Sequence, residues 1–225
     1  MLVKIAARVR GFFAGNYAEN REDEQLVINN RGDQCVVQSL PELTELVRLG
    51  FSWQGATRTG QAALTALPTV TAGLTLGNAE PATGKSYVID SFGSWEAVVD
   101  ATQTDVTAIL AMNTARGSAA PSAGTVEATS VIKSLSGRAA GGANASIRRG
   151  GTVVDDGWFA HGTSGQMAAA AAGANWKVNE VQARGMYLVT PGGFFSVQAV
   201  KAAAAAAAQQ FFFVRWHEVQ LIYLA

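Results

Sequence analysis

The fold is indicated by the stretch FFSVQAVKAAAAAAAQQFFFVRWHEVQLIY, residues 194–223. Its two ends are rich in aromatic and β-branched residues, which pack well on a pleated surface. We therefore predict two strands, Phe194–Ala199 and Phe211–Tyr223, joined through the alanine tract Ala202–Ala208. The tract is expected to make a hairpin connection that can hold one helical turn, since alanine favours helix. Two such strands with a low-charge connection indicate a β-sandwich.

Composition favours a protein that is partly covered by neighbours. The chain has 225 residues and a formal net charge of +0, with 17 basic and 17 acidic residues. That balance argues against a nucleic-acid binder that relies on bulk positive charge. Charged residues make up 15% of the chain, against roughly 25% in a typical soluble domain. We expect burial in an oligomer or assembly; the alternative is a monomer with a surface of small polar residues.

The sequence also carries information on compartment. Cys35 is the only cysteine, so an internal disulfide cannot form, which fits assembly in a reducing cytosol. Met1–Arg8 does not have the apolar length of a signal peptide. No stretch approaches the ~18 apolar residues that a membrane helix needs, so no membrane partner is expected.

Charge is unevenly distributed and suggests a domain boundary. Residues 1–50 hold 13 of the 34 charged residues. We interpret 1–50 as a small β-rich N-terminal module with one short helix, capped by Ser39 and ended by Gly50. Residues 51–73 are expected to be an extended linker, and residues 74–225 an antiparallel β-sandwich that is jelly-roll-like. The fold class predicted for the whole chain is mainly β.

Strand-like runs recur after residue 74 between clusters of Gly, Pro, Asn and Ser, at a spacing expected for a sandwich or jelly roll. Residues 113–124 and 136–151 are expected to be loops. The predicted strands before the C-terminal pair are Leu74–Leu76, Tyr87–Phe92, Trp95–Val99, Val106–Met112, Thr125–Leu135, Thr152–Phe159, Lys177–Ala183 and Met186–Val189.

One motif resembles a phosphate-binding loop. The stretch AEPATGKS, residues 79–86, places Lys85 and Ser86 where such a loop holds phosphate and Mg²⁺. That chemistry needs a helix to start at this point, whereas Tyr87–Phe92 is strand-like. We therefore favour a β-turn with a solvent-facing lysine, and we predict no bound cofactor.

Other motifs give weak signals for catalysis or metal binding. His161–Gly165 resembles a serine-nucleophile turn, but Gln166 stands where the second glycine is required. His217 is the other histidine, and the adjacent Glu218 should point to the opposite face of a strand. No catalytic residue is predicted.

Asp155–Gly157 has oxygen ligands suited to Ca²⁺, although a hairpin turn explains the pattern better. Two histidines and one cysteine offer no familiar metal-ligand spacing, so no metal site is predicted. Arg31–Asp33 matches the tripeptide read by integrins, and ordinary turn chemistry accounts for it. Trp53, Trp95, Trp158, Trp176 and Trp216 are scattered, and core packing explains them more simply than a sugar-binding platform does.

The chain resembles virion proteins of tailed bacteriophages that are built on a jelly-roll-like sandwich. The resemblance lies in three places. Residues 74–89 form a predicted strand, a small-residue turn with Gly-Lys and another strand, and the middle of the chain is rich in Ala and Gly. Near the end, Pro191–Gly193 precedes a strand, and VRWHEV follows at 214–219. Residues 9–17 are also similar to the start of small phage structural modules.

The resemblance implies a capsid decoration or cement protein, made in the bacterial host cytoplasm and located on the capsid surface of the virion. Such proteins are often trimers that bridge neighbouring major capsid subunits. The expected partners are therefore a homotrimer of this chain and the phage major capsid protein. The alternative is a host-glycan-binding or connector module of a phage head fibre, tail or neck. An enzyme is not expected.

Overall fold

The computed structural model describes residues 42–62, 64–68, 70–98, 107–137, 144–164, 177–201 and 209–220. Nearly all of the predicted N-terminal module, with Ser39, Cys35 and Arg31–Asp33, lies outside the described residues, as does the alanine tract. Within them, helix α1 (Glu42–Leu49) ends at Gly50, whose φ is 82°. The amide of Gly50 donates to the carbonyl of Val47 (3.0 Å), so the predicted glycine stop is confirmed.

Two antiparallel sheets form the body of the described chain, and the prediction of a mainly β sandwich is confirmed. The first sheet has the order β10-β3-β12-β1-β6, with β9 also paired to β3; the second has the order β5-β7-β2-β11-β4-β8. The strands are β1 (Ser52–Ala56), β2 (Thr71–Asn78), β3 (Ser86–Val98), β4 (Thr107–Thr114), β5 (Thr125–Val126), β6 (Lys133–Ser134), β7 (Ala145–Thr152), β8 (Phe159–Ser164), β9 (Lys177–Gln182), β10 (Leu188–Val189), β11 (Phe194–Lys201) and β12 (Gln209–Val219).

The core lies between the two sheets, and it is formed by the side chains at every second position of each strand. Along β12, Phe212, Val214 and Trp216 are fully buried, while the residues between them are more exposed. Because successive side chains of a strand point to opposite faces, the in-between residues face away from the core. The first sheet therefore has an inner apolar face and an outer face of different composition.

The predicted hairpin between the two C-terminal strands is wrong. β11 pairs with β2 and β4 in the second sheet, whereas β12 pairs with β1 and β3 in the first. The chain therefore passes from one sheet to the other between residues 201 and 209. Aromatic and β-branched content identifies strands but does not say which strands pair.

The predicted hairpin turn at Asp155–Gly157 is also wrong. β7 and β8 are separated in the second sheet by β2, β11 and β4. Residues 153–158 instead cross the outer side of that sheet, where the amide of Asp156 lies 3.1 Å from the sulfur of Met112. The Asp-Gly pair makes a turn in this crossing, which a local pattern cannot distinguish from a hairpin.

Four further segments differ from their predictions. The run Thr152–Phe159, expected as one strand, contains only the end of β7 and the start of β8. The segment 51–73, expected as a linker, contains β1 and enters β2, so it belongs to the sandwich. The segment 136–151, expected as a loop, contains most of β7. The run Thr125–Leu135, expected as one strand, has only two short strands and a 3-10 turn. No helix in the described ranges is long and apolar enough to cross a membrane.

Candidate interaction surface

The lysine of the phosphate-loop motif is paired within the protein. The amide of Gly84 donates to the carbonyl of Pro81 (2.7 Å) and closes a turn, after which β3 begins at Ser86. The strand predicted in place of a phosphate-binding helix is confirmed. The Lys85 amine does not simply face solvent, because it lies 2.7 Å from Oε2 of Glu218.

Glu218 is a buried carboxylate at one end of the sandwich. Burial raises its pKa, and the hydrogen bond and charge of Lys85 oppose that rise in part. Tyr87 lies opposite Glu218 in the strand register, and its pKa is raised by burial and then by the charges of Glu218 and Glu80. These groups tie the turn before β3 to the end of β12, which is a structural arrangement.

The two histidines have separate partners. His161 lies in β8, hydrogen-bonds to the Tyr187 hydroxyl and meets Phe92 edge-on at 5.4 Å between ring centroids. Burial lowers the pKa of His161, so its imidazole is neutral near pH 7. Nδ1 of His217 lies 2.8 Å from Oδ1 of Asp90 on the other side of β12 from Glu218, as strand geometry predicted.

The serine-nucleophile motif is described only in part, and the Asp155–Gly157 motif forms a turn. Ser164 is the last residue of strand β8, and Gly165 and Gln166 lie outside the described residues. Oδ1 of Asp155 accepts from the amide of Gly157 (3.1 Å), which uses the carboxylate in a turn. Within the described ranges, no three His, Cys, Asp or Glu side chains come together as a metal site.

The tryptophans divide between the core and the outer face. Trp53 and Trp216 are buried, in agreement with core packing, and Trp158 packs against a small cluster around Met112. Trp176 lies outside the described residues. Trp95 is different, because it alternates with the buried Ser94 and Glu96 of β3 and points away from the core.

Trp95 belongs to an outward-facing aromatic patch, which we define as Trp95, Val178, Phe211 and Phe213. Phe211, Trp95 and Val178 lie side by side in register across β12, β3 and β9. The rings of Trp95 and Phe211 stack with centroids 4.2 Å apart and planes 14° apart. Val178 is 62% exposed. The patch is therefore a row of apolar side chains held rigidly by three neighbouring strands.

Gly93 allows the next row of the patch to pack closely. Phe213 lies opposite Gly93, and a Cβ on this glycine would stand 3.0 Å from the Phe213 ring and 1.9 Å from the carbonyl oxygen of Asn179. A larger residue would force β9 away from β3. The glycine thus keeps the sheet intact beneath the aromatic ring.

Charged residues adjoin the patch at Phe213. Nη1 of Arg215 lies 3.0 Å from Oε1 of Glu180, and its guanidinium carbon is 5.8 Å from the centroid of the Phe213 ring. Beside them a groove of about 200 Å³ opens over β12, β1 and the segment 131–133. We call it the cationic groove; the residues that line it are Gln54, Gly55, Ala56, Val131, Lys133, Phe213, Val214 and Arg215.

No family model, curated protein or solved structure matches the chain. The surface must therefore be interpreted from its own geometry.

Sequence reasoning missed this surface although it predicted the strand that carries it. In the run FFFVRW at 211–216, apolar residues stand at both odd-numbered and even-numbered positions. In a strand with one solvated face, apolar and polar residues should alternate. Aromatic residues at both odd-numbered and even-numbered positions therefore indicated, from the sequence alone, that both faces of β12 make apolar contacts. The partners Trp95 and Val178 come from distant parts of the chain and give no local signal.

Proposed function

We propose that the protein is a non-enzymatic structural protein of a phage virion, which decorates the capsid and bridges major capsid subunits as a homotrimer. The observation that carries the proposal is the aromatic patch, in which Trp95 and Phe211 stack on the outer face of a β-sandwich. Tryptophan, phenylalanine and arginine are enriched in the buried centres of protein–protein interfaces. A pre-ordered aromatic surface loses little side-chain entropy when a partner covers it.

The rest of the molecule suits a mechanical role. The two sheets enclose one large apolar cluster, and low charge suits a protein with many neighbours. Packaged DNA pushes capsid subunits apart, and a stiff oligomer that spans their junctions adds buried interface that resists separation. Several identical subunits bind with avidity, so each single contact can be weak.

Shell binding by patch variants tests the proposal. Empty capsid shells without this protein are incubated with the wild type, with Trp95→Ala and with Phe159→Ala, and the bound protein is measured by co-sedimentation. Phe159 is a matched control, since it is an aromatic residue 65% exposed on β8 of the second sheet. We expect Trp95→Ala to weaken binding by about 30-fold or more, as for an interface hot spot, and Phe159→Ala to bind like the wild type.

The outcome that contradicts the proposal is equally specific. Wild-type protein that does not bind shells would exclude decoration, and equal losses in both variants would exclude the patch as the contact. Sedimentation should also give a mass near three times 23.4 kDa. Melting curves of both variants must match the wild type, so that a loss of binding reports on contact.

A second candidate function is glycan binding by a head fibre, tail or neck module. The outward position of Trp95 favours it, because sugar rings stack on aromatic faces. In that case host surface glycans would bind saturably and Trp95→Ala would abolish this binding, while capsid shells would not retain the protein.

A further inference from the structure

The cationic groove has two positive charges placed in register across three strands. Gln54 on β1 lies opposite Arg215 of β12 on one side and Lys133 of β6 on the other. Residues paired in register share a face of the sheet, so the three side chains form one row. Neighbouring strands are about 4.8 Å apart, which puts the backbones of Lys133 and Arg215 about 10 Å apart.

Positive charge predominates around this row, although the chain as a whole is neutral. Lys133 is exposed and has no ion-pair partner among the described residues. Arg58 donates to the hydroxyl of Ser130 (2.8 Å), next to Val131 of the groove. Of the nearby carboxylates in the described part of the chain, Glu127 is held by Arg149 (3.0 Å), which leaves Glu180 as the one that competes for Arg215.

The floor of the groove beside this row is apolar. Ala56, Val131 and the Phe213 ring line it, while Gln54 places one amide between the two cations. A sugar needs several polar partners for its hydroxyl groups, which this floor does not offer. A polypeptide with carboxylates at both ends of a short apolar segment matches the charges and the floor together.

We infer that the cationic groove binds an acidic segment of a partner protein, with Lys133 and Arg215 on two carboxylates and an apolar side chain against Phe213. An extended chain rises about 3.3 Å per residue, and its side chains alternate between two faces. Carboxylates four positions apart therefore point to the same side, ~13 Å apart, and the long side chains of Lys133 and Arg215 can reach both from strands ~10 Å apart. The inference rests on the proposed function only in making the partner a capsid subunit. The groove itself defines the chemistry of the segment.

A fluorescein-labelled peptide tests the groove directly in the full chain. The peptide has two glutamates four positions apart with phenylalanine midway between them, and the matched peptide has glutamines in place of the two glutamates. Fluorescence anisotropy should show binding of the acidic peptide, weaker at higher salt, and no binding of the glutamine peptide. Equal binding of both peptides, or of neither, would overturn the inference.

Three variants locate the binding. Lys133→Glu should weaken it about tenfold, because an attraction becomes a repulsion. Arg116→Glu, which makes the same charge change at an exposed turn away from the groove, should leave it unchanged. Glu180→Gln should tighten binding about threefold, since it frees Arg215 from its competing carboxylate. A gain of affinity cannot come from damage to the fold, so the Glu180 variant guards against that explanation.

Two further results separate this inference from the decoration role. If shells retain the wild type and Lys133→Glu equally, the groove inference fails and decoration stands. If shells retain neither but the peptide binds as described, decoration fails and the groove inference stands. Tight binding of a sulfated oligosaccharide that the acidic peptide cannot displace would also overturn the inference.

Discussion

Two lysine–glutamate pairs lie near opposite ends of β3, and they differ in how far the protein encloses them. Lys201 and Glu96 are 2.6 Å apart, and their side chains are 1% and 2% exposed. Lys85 and Glu218 are 2.7 Å apart, and Glu218 is 2% exposed while Lys85 is 37% exposed. The distances are nearly equal, so the comparison isolates the effect of enclosure.

Enclosure determines what a buried carboxylate requires from its surroundings. An ion taken out of water loses several kcal/mol of hydration, and only its partner and further hydrogen bonds offset that loss. At the Lys85 end, water reaches the lysine, so it can replace part of the hydrogen bonding and charge stabilisation that the amine provides to the Glu218 carboxylate. At the Lys201 end, both charges are enclosed, so water cannot replace the attraction that each charge exerts on the other.

The largest effect is expected when the enclosed pair is broken. Lys201→Met leaves the Glu96 carboxylate buried without its cation and should lower the free energy of unfolding by about 3–5 kcal/mol. Urea denaturation measures this loss. The double variant Lys201→Met with Glu96→Leu should recover most of it, because apolar residues often replace a buried ion pair without cost. A single-variant loss below about 1 kcal/mol would show that enclosure does not set the energy.

The pair of Lys85 and Glu218, of which only the lysine is partly exposed, should make the free energy of unfolding depend on pH. The folded pKa of Glu218 is raised above its ordinary value of 4.5, chiefly by burial. Folding therefore favours the protonated carboxyl, and this contribution is complete below pH 4.5 and is lost as the pH rises through the folded pKa. Urea denaturation of the wild type and of Glu218→Gln should give similar free energies of unfolding near pH 4.5. The two values should separate as the pH rises through the folded pKa of Glu218, because only the wild type loses this contribution.

The variant Lys85→Met tests how strongly the lysine acts on the pKa of Glu218. Removing the amine takes away an interaction that lowers the pKa of Glu218, so the window of pH-dependent stability should extend to higher pH. The loss at neutral pH should be about 1–2 kcal/mol, smaller than for Lys201→Met, because Lys85 is partly solvated and Glu218 can take up a proton. An unchanged pH profile in Lys85→Met would mean that the lysine does not act on Glu218.

The sequence predicted the sandwich but not these pairs. Strands β2, β11 and β12 followed from local composition, and β3 was predicted as two strands, Tyr87–Phe92 and Trp95–Val99, where the structure has one. Strand β7, with its glycines and arginines, was missed because neighbouring strands and not propensity hold it in the sheet. Each ion pair joins residues far apart in sequence, 105 positions for Lys201 and Glu96 and 133 for Lys85 and Glu218. Lys85 was noticed only as a phosphate-loop lysine, since its partner depends on the register of β3 with β12.

The surface showed the same limit. Local pattern predicted that 211–216 is a strand, and it gave no account of the stacking of Trp95 on Phe211 or of the row formed by Lys133, Gln54 and Arg215. Both depend on which strands are neighbours. The alternation of a strand fixes which residues share a face, and the topology then decides which faces meet.

The smallest effect is expected at a third pair, Asp90 and His217, on the outer face of the first sheet. Oδ1 of Asp90 and Nδ1 of His217 are 2.8 Å apart, with side chains 22% and 13% exposed. The variant Asp90→Asn keeps an oxygen that can accept a hydrogen bond from the imidazole, and water reaches both groups. The free energy of unfolding should therefore change by less than about 1 kcal/mol. The three pairs differ little in distance and strongly in enclosure. If urea denaturation shows that Asp90→Asn costs as much as Lys201→Met, contact distance and not enclosure governs the strength of these pairs.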